Sequence, residues 1–413
     1  MEKFRFEYFA SCPSGLEDLL GQELEGFGAK KIIKVRGGVQ FEAFHEIALK
    51  TILYSRIASR VFKYLYRFEV NHEKDYYLEA TEIKWKSLMD VHQTFRLTTI
   101  FGDLPFEREE FRNSQFTTLK LKDAIVDYFR HFDGERPSVA KDFPDISFLA
   151  RIDRGSEKPY LVTLMYDLCG DPLNQRGYRI AKTPAPLKEN VAAGVLQLAN
   201  WNPKEEALVD AMTGSGTFII EAALIAGNIP PSYLKIERHL KNPGYKLWTF
   251  QNYPWFTKDE FLQKNFQNLV AEIMEATNTG LEKLKKDFKD CFLANDNDEM
   301  ALLSAKENIK KARLDGIIKT SLSHALELKP FTKKTLFLCN PPYGERLETG
   351  EEEKLKSLYK GLGDLWKHEF KGHRAALFTG NLPMLKVVGL RTSKKHILWN
   401  GDIECRLAEY NLY

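Results

Sequence analysis

Asn340-Pro341-Pro342-Tyr343 follows directly on an apolar run, Thr335-Leu336-Phe337-Leu338-Cys339. Such a run reads as a buried strand of a parallel sheet, and α/β proteins place their chemistry at the carboxyl ends of these strands. Two prolines fix φ and delete backbone donors, leaving carbonyls available as acceptors. The Asn340 amide adds another acceptor, and Tyr343 supplies a flat ring. The combination suits a planar group carrying an exocyclic NH₂; an ordinary strand-ending turn would use the same residues.

A second constellation lies upstream. Residues 207–217, Ala-Leu-Val-Asp-Ala-Met-Thr-Gly-Ser-Gly-Thr, read as a buried strand ending at Asp210, a glycine turn, and the start of an apolar helix from Phe218 to Ala226. Gly214 and Gly216 allow a tight turn and close approach of backbone to a ligand, which the N–H groups opening the next helix would face. A dinucleotide fingerprint would need a third glycine where Ile219 stands, so a pyrophosphate site is disfavoured. A third run, Cys291-Phe292-Leu293-Ala294-Asn295, ends in Asp296 and Asp298. A carboxylate after the second strand can accept both hydroxyls of a ribose. Alternatively, Asp296 caps the helix that opens at Glu299. Asp296 stands 80 residues after Gly216, against about 20 in the usual spacing. Residues 229–288 therefore read as an insertion, and its Pro230-Pro231 start, aromatic content and later Lys/Glu-rich helical pattern fit a covering lid.

These motifs are carried by a chain whose two parts differ in pattern. Before about residue 166, short strands mix with helices: Glu2–Ala10, two strands within Lys30–Phe41 about Gly37-Gly38, and a hairpin of Ser147–Asp153 with Lys158–Asp167 about Gly155. Helices are predicted over Gly15–Phe27, closed by Gly28, over His45–Ser59, and over Thr117–Phe132. Arg56, Arg60, Lys63 and Arg67 have helical spacing, yet Phe62, Tyr64, Tyr66, Phe68 and Val70 alternate strictly, so residues 60–70 are read as a strand. Phe95, Leu97, Thr99 and Phe101 alternate likewise. Later, strands near 207–210, 291–295, 318–322, 335–339 and 374–379 alternate with helices, which signals a parallel sheet. Asn400-Gly401 between Ile397-Leu398-Trp399 and Ile403–Tyr410 signals a closing hairpin.

In these motifs the chain resembles the THUMP-domain class I methyltransferases that use S-adenosylmethionine, in particular the RlmL-type guanine-N2 methyltransferases of bacterial 23S rRNA. The resemblance covers essentially the whole chain. It rests on Asn113-Ser114-Gln115-Phe116 with Lys122-Asp123-Ala124-Ile125, Arg176-Gly177-Tyr178-Arg179, and Ala185-Pro186-Leu187-Lys188-Glu189-Asn190. Asp210 to Thr217 and Asn340 to Leu347 (Asn-Pro-Pro-Tyr-Gly-Glu-Arg-Leu) complete it. It implies a ferredoxin-like domain over 1–65, a THUMP RNA-binding domain over 66–165 and a catalytic domain over 166–413. The catalytic domain is expected to be α/β and Rossmann-like, its mainly parallel sheet finished by an antiparallel hairpin. Some RlmL proteins carry a second methyltransferase domain behind the first; with the sequence read to Tyr413, the resemblance implies only the guanine-N2 activity.

The resemblance assigns Asn340, Pro341, Pro342 and Tyr343 to catalysis. Asp210, Thr213, Gly214, Ser215, Gly216 and Thr217 fall to the methionine end of the cofactor, Asp296 to its ribose, and His324 with Ala325 to adenine. Relatives often carry Asp where His324 stands; a neutral imidazole can accept through one nitrogen, or the contact passes to backbone. Guanine N2 is a poor nucleophile because its lone pair is delocalised. Asn340 Oδ1 and the Pro341 carbonyl can grip its hydrogens and aim the lone pair, while Tyr343 stacks on the base for about 1–3 kcal/mol. No metal is required. Arg176, Arg179, Lys182 and Lys188, with Tyr178 among them, are expected in part to contact RNA phosphates. A guanine in a helix hides its N2, so a flipped or unpaired nucleotide is expected, favouring naked or partly assembled rRNA.

Methyltransferases of DNA adenine and of protein glutamine share the Asn-Pro-Pro-Tyr logic, but the N-terminal third argues for structured RNA. A tRNA guanine-N2 enzyme and a non-catalytic RNA-binding protein are the remaining alternatives. Composition agrees: five scattered cysteines (12, 169, 291, 339, 405) without C-x-x-C fit reduced thiols in a cytoplasmic protein. The charged start, Met-Glu-Lys-Phe-Arg-Phe-Glu, lacks a signal peptide's apolar core, and no stretch of about 18 apolar residues suggests a membrane span. A net charge of +3 favours a polyanion partner only weakly.

Overall fold

The computed structural model describes residues 5–102, 111, 113–180, 187–244, 246–343 and 351–413. Two seven-stranded sheets organise them. The first contains β1 (Phe6–Ser11), β2 (Lys30–Val35), β3 (Gly38–Ala43), β4 (Arg60–Val70), β5 (Phe95–Phe101), β6 (Ile146–Arg154) and β7 (Tyr160–Asp167), in the order β2-β3-β1-β4-β7-β6-β5. Helices α1 (Glu17–Phe27), α2 (His45–Tyr54), α3 (Glu73–Thr81) and α4 (Ser114–Asp133) accompany it. Gly28, at φ 101°, closes α1, and Asn113 caps α4 by accepting from the Gln115 and Phe116 amides.

The alternating segment from 60 to 70 is a strand, and it joins the two halves of this sheet. β4 pairs antiparallel with β1 on one side and with β7 on the other, so the boundary expected between residues 65 and 66 falls inside a shared strand. No basic stripe forms there. Arg60 pairs with Asp167, Arg67 with Glu7, and Lys63 is buried against the rings of Phe6 and Trp255. The second helix is shorter than expected and stops at Tyr54. Ser55 turns into extended backbone, and the Glu23 carboxylate receives the Ser55 hydroxyl and the Arg56 amide in place of further helical bonds.

The second sheet contains β8 (Ala207–Asp210), β9 (Phe292–Asp296), β10 (Lys319–Leu322), β11 (Thr335–Cys339), β12 (Arg374–Thr379), β13 (Lys394–Asn400) and β14 (Ile403–Asn411). Its order is β10-β9-β8-β11-β12-β14-β13. The first five strands run parallel, and β14 pairs antiparallel with β12 and β13. Helices α5 (Glu189–Leu198), α6 (Thr217–Ala226), α7 (Tyr233–Lys241), α8 (Pro254–Thr257), α9 (Glu260–Asp287), α10 (Glu299–Lys311), α11 (Glu351–His368) and α12 (Met384–Val387) belong to this part. β8 and β11 are buried at every position, as strands of a helix-covered parallel sheet must be. The hairpin loop is Gly401-Asp402 rather than Asn400-Gly401: Asn400 still pairs with Ile403, and Gly401 takes the positive φ of 69°.

The insertion is not a lid. Its aromatic residues pack against the N-terminal sheet, where the Tyr253 hydroxyl donates to the carbonyl of Asp167 and Trp255 stacks on His45 at 4.3 Å between ring centroids. Burial, with the Lys63 charge beside it, lowers the His45 pKa to about 3, which keeps the stacked imidazole neutral. The Trp/Tyr/Phe content therefore reflects a fixed contact between the two parts. Among the described residues no helix is long and apolar enough to cross a membrane.

Candidate active site

Strand order in the second sheet reverses between β8 and β11, since β9 and β10 extend to one side of β8 and β11 and β12 to the other. Ligands of open α/β sheets bind outside the strand ends at such a reversal. Leu338 of β11 lies opposite Asp210 of β8, and the Ala211 amide donates to the Leu338 carbonyl at 2.9 Å. The glycine turn and Asn340–Tyr343 thus leave the sheet side by side, which unites two motifs separated by more than a hundred residues in the chain.

The glycine turn is held from several directions. Thr213 donates its amide to the Asn295 carbonyl and its hydroxyl to Asp210 Oδ2 at 2.7 Å. Gly214, at φ 52°, donates to Asp296 Oδ2 at 2.8 Å, and Gly216, at φ 81°, caps α6. Ser215 and Thr217 both receive the Arg179 guanidinium, at 2.8 and 3.0 Å. Asp298, accepting from the Met300 and Ala301 amides, is the cap of α10, so Asp296 is released from that role. Asp296 instead braces the glycine turn and the backbone two residues on, accepting from the Asp298 amide at 3.0 Å.

Two features of this turn fit a ligand with a cationic end. Asp210 Oδ1 is buried and makes no hydrogen bond of good geometry. Burial pushes the Asp210 carboxyl up to about 7, opposed by the Thr213 hydrogen bond and assisted by the charge of Asp296. A Cβ on Gly214 would meet no atom within 4 Å, so the space over the turn is open.

His324 is exposed, and its Nδ1 accepts from the Leu326 amide at 3.3 Å. With Nδ1 so used, the neutral ring carries its proton on Nε2 and presents a donor. An acceptor for an amino group is therefore left to the backbone near Ala325, which is buried in a short 3₁₀ turn.

Beyond β11, Pro341 is buried, Asn340 and Tyr343 are half-buried, and Pro342 is exposed. The Tyr343 hydroxyl donates to Asn340 Oδ1 at 2.9 Å, which fixes the amide and leaves the second lone pair of that oxygen available. Asn381 Nδ2 donates to the Tyr343 carbonyl at 2.8 Å. A Cβ on Gly380 would come within 2.7 Å of the Tyr343 ring, so only glycine lets that ring close on the end of β12. Gly344 to Leu347 lie outside the described residues.

The expected basic cluster does not form one surface. Arg176 is a correction: it is 2% exposed, donates to the Leu173 and Arg56 carbonyls, and pairs with buried Glu221 at 3.7 Å. Its charge is neutralised inside the protein, where no phosphate reaches. Arg179 is a second correction, since its guanidinium also binds Glu189 and the Leu187 carbonyl and so serves to anchor the glycine turn. Lys188 is exposed, and Lys182 lies outside the described residues. Sequence reasoning missed four positioning residues. Asn295 joins β8 and β10 through the Ala211 and Ser323 carbonyls, and Asn308 donates to the Ser215 carbonyl at 2.9 Å. Gly380 and Asn381 seat Tyr343. A polar Asn ending an apolar strand run, as Asn295 does, was the available signal.

Residues 176–409 match the RMKL-like methyltransferase domain, 7–62 the RlmL ferredoxin-like domain and 70–156 the THUMP domain. The chain belongs to the RMKL-like methyltransferase domain family. The chain is similar to the ribosomal RNA large subunit methyltransferases K/L of Cellvibrio japonicus, at 37% identity, and Syntrophotalea carbinolica, at 35%, each over 98% of its length. It spans 51% and 53% of those two proteins, about half the length of the curated relatives it matches. Among solved structures, SMU.472, a candidate methyltransferase complexed with SAH, shares its fold with a TM-score of 0.79 at 24% identity, covering 100% of this chain and 99% of that one. TrmN from Thermus thermophilus does so with 0.65 at 20%, covering 99% and 100%. Among the described residues no group of three or more His, Cys, Asp or Glu is placed to hold a metal ion.

Proposed function

We propose that this chain transfers a methyl group from S-adenosylmethionine to the exocyclic N2 of a guanine in 23S rRNA, in the cytoplasm, taking naked or partly assembled RNA as substrate. The adjacency of the glycine turn and Asn340–Tyr343 at the sheet's reversal carries the reading. The rRNA substrate is supported by the relatives' names and by the THUMP domain.

When bound, S-adenosylmethionine supplies a methyl activated by a positively charged sulfur. Asp210 through Thr217 would hold its methionine end, Asp296 its ribose, and the backbone at Ala325 its adenine. Asp210 Oδ1, buried and unbonded, is the natural partner for an ammonium. Asn340 Oδ1 and the Pro341 carbonyl accept the two amine hydrogens of guanine, drawing N2 toward a pyramidal geometry with its lone pair directed outward. Tyr343 orients the amide through its hydroxyl and offers its ring to the base. Holding the amine in line supplies most of the rate.

Two outcomes follow. A carboxyl near pKa 7 must lose its proton to face a cation, so cofactor binding below pH 7 should release up to one proton, and affinity should rise with pH until about 7 and then level. Calorimetry in buffers of different ionisation enthalpy reads this directly. Gly380→Ala displaces the Tyr343 ring and should lower kcat at least about tenfold, as expected of a misplaced reacting group. Cofactor Kd should stay unchanged, since Gly380 lies on β12's side of the reversal. The function itself is tested by mass mapping of modified guanosines in 23S rRNA from cells lacking this protein. Loss of one N2-methylguanosine is expected; an unchanged map rejects the reading.

A further inference from the structure

A cleft of about 1040 Å³ opens beside the site, bounded by residues between 171 and 180, by Leu187 to Glu189, by α7, by the last residue of α10 and by the hairpin tip at Asn400-Gly401. Two of its lining residues belong to the site's own supports. Arg179 holds Ser215 and Thr217, and Ile403 shares with the Tyr343 ring the space over Gly380. The cleft therefore borders the supports of both the glycine turn and the amine clamp.

Its charge is unbalanced. Six cations and three acids line it, and two of the acids are already engaged, Glu189 by Arg179 and Glu237 by Arg313. Lys188, Lys241 and Lys311 are exposed and have no ion-pair partner among the described residues. Lys235 differs: it donates to the Pro172 carbonyl, and burial lowers its pKa to about 8, so it ties the insertion to the chain before the catalytic domain. Leu234 and Ile180 add apolar surface between the cations. By contrast, the 600 Å³ groove on the open face of the first sheet is internally neutral. There Lys31 pairs with Glu42, Arg67 with Glu7 and Arg151 with Asp153. A polyanion gains little from such a surface and much from the cleft.

We propose that this cleft holds the RNA strand on either side of the target nucleotide, with Lys241 of α7, Lys311 of α10 and Lys188 on its phosphates. The insertion then serves as one wall of the RNA site, a role expected, from the sequence, of Arg176, Arg179, Lys182 and Lys188. This rests on the reading above that the substrate is RNA. The test is fluorescence anisotropy of an unmodified 23S rRNA transcript and of a mixed-sequence single-stranded oligoribonucleotide, over a range of salt, with cofactor binding followed by calorimetry. The triple variant Lys188→Ala/Lys241→Ala/Lys311→Ala should bind both RNAs at least about tenfold more weakly. Its slope of log affinity against log salt should be shallower by about 2, three single-strand phosphate contacts at roughly 0.7 each. Its affinity for S-adenosylmethionine should match the wild type. Undiminished RNA binding and slope in the triple variant overturn the cleft alone, as does a slope that changes only in Arg67→Ala/Arg151→Ala. Absence of salt-dependent RNA binding by the wild type overturns the cleft and the functional reading together.

Discussion

Asn340→Ala is expected to lower turnover by about 10²–10³-fold, the range for removing one preorganised hydrogen-bonding group at a reacting centre. The side chain lies just past β11, whose five residues are buried without its help, so the fold should stay intact. Two things are lost: an acceptor for the amine, and the oxygen that receives the Tyr343 hydroxyl. Neither touches Asp210, Asp296 or the glycine turn. Cofactor affinity should therefore remain within about twofold of wild type, and the melting temperature should not move. Single-turnover rates with calorimetric Kd values separate these effects; unchanged turnover would remove Asn340 from the mechanism.

The second large effect concerns stability. Glu221 is fully buried beneath Arg176 and also accepts from the Tyr178 hydroxyl at 3.1 Å, while partly buried Arg56 donates to the Ile229 carbonyl nearby. Burial raises the Glu221 pKa, and the charges of Arg176 and Arg56 oppose that shift. Glu221→Ala leaves guanidinium charge inside the protein without its counterion, a change that typically costs about 3–5 kcal/mol. Arg176→Ala strands the carboxylate and should cost a similar amount. Denaturant unfolding measures both. The Arg176 variant also separates the two roles considered for this residue: its stability should fall while the salt dependence of RNA binding stays that of the wild type.

The sequence made the second sheet legible because its central strands, β8, β11 and β12, are buried along almost their whole length and its turns carry Gly, Pro or Asp. The five parallel strands lie within a residue or so of where the apolar runs place them. β4 was readable by alternation although its cations have helical spacing, because side-chain burial follows the period of two. What escaped depends on contacts distant in the chain. α2 ends early because Glu23, more than thirty residues upstream, receives its next donors. α3 went unassigned since Tyr76 and Ala80 are its only buried residues, too few for a visible stripe. The aromatic insertion read as a lid because sequence cannot say which surface an exposed-looking Trp will meet, and the surface proved to be His45 and Lys63.

The site divides the same way. Asp210 to Thr217, Asp296 and Asn340 to Tyr343 stand out as motifs because each ends a strand. Their supports, Asn295, Asn308 and Gly380, became recognisable only once the strands were side by side. Arg176 and Arg179 shared one motif with Tyr178 and looked like surface charge, yet their carboxylate partners, Glu221 and Glu189, are brought to them by α6 and α5.

The most direct test supplies the purified protein with unmodified 23S rRNA and S-adenosylmethionine bearing a deuterated methyl, followed by mass spectrometry of the digested nucleosides. Label confined to N2-methylguanosine, and absent with Asn340→Ala, is the expected result. Label on adenine N6, on protein, or nowhere would contradict it.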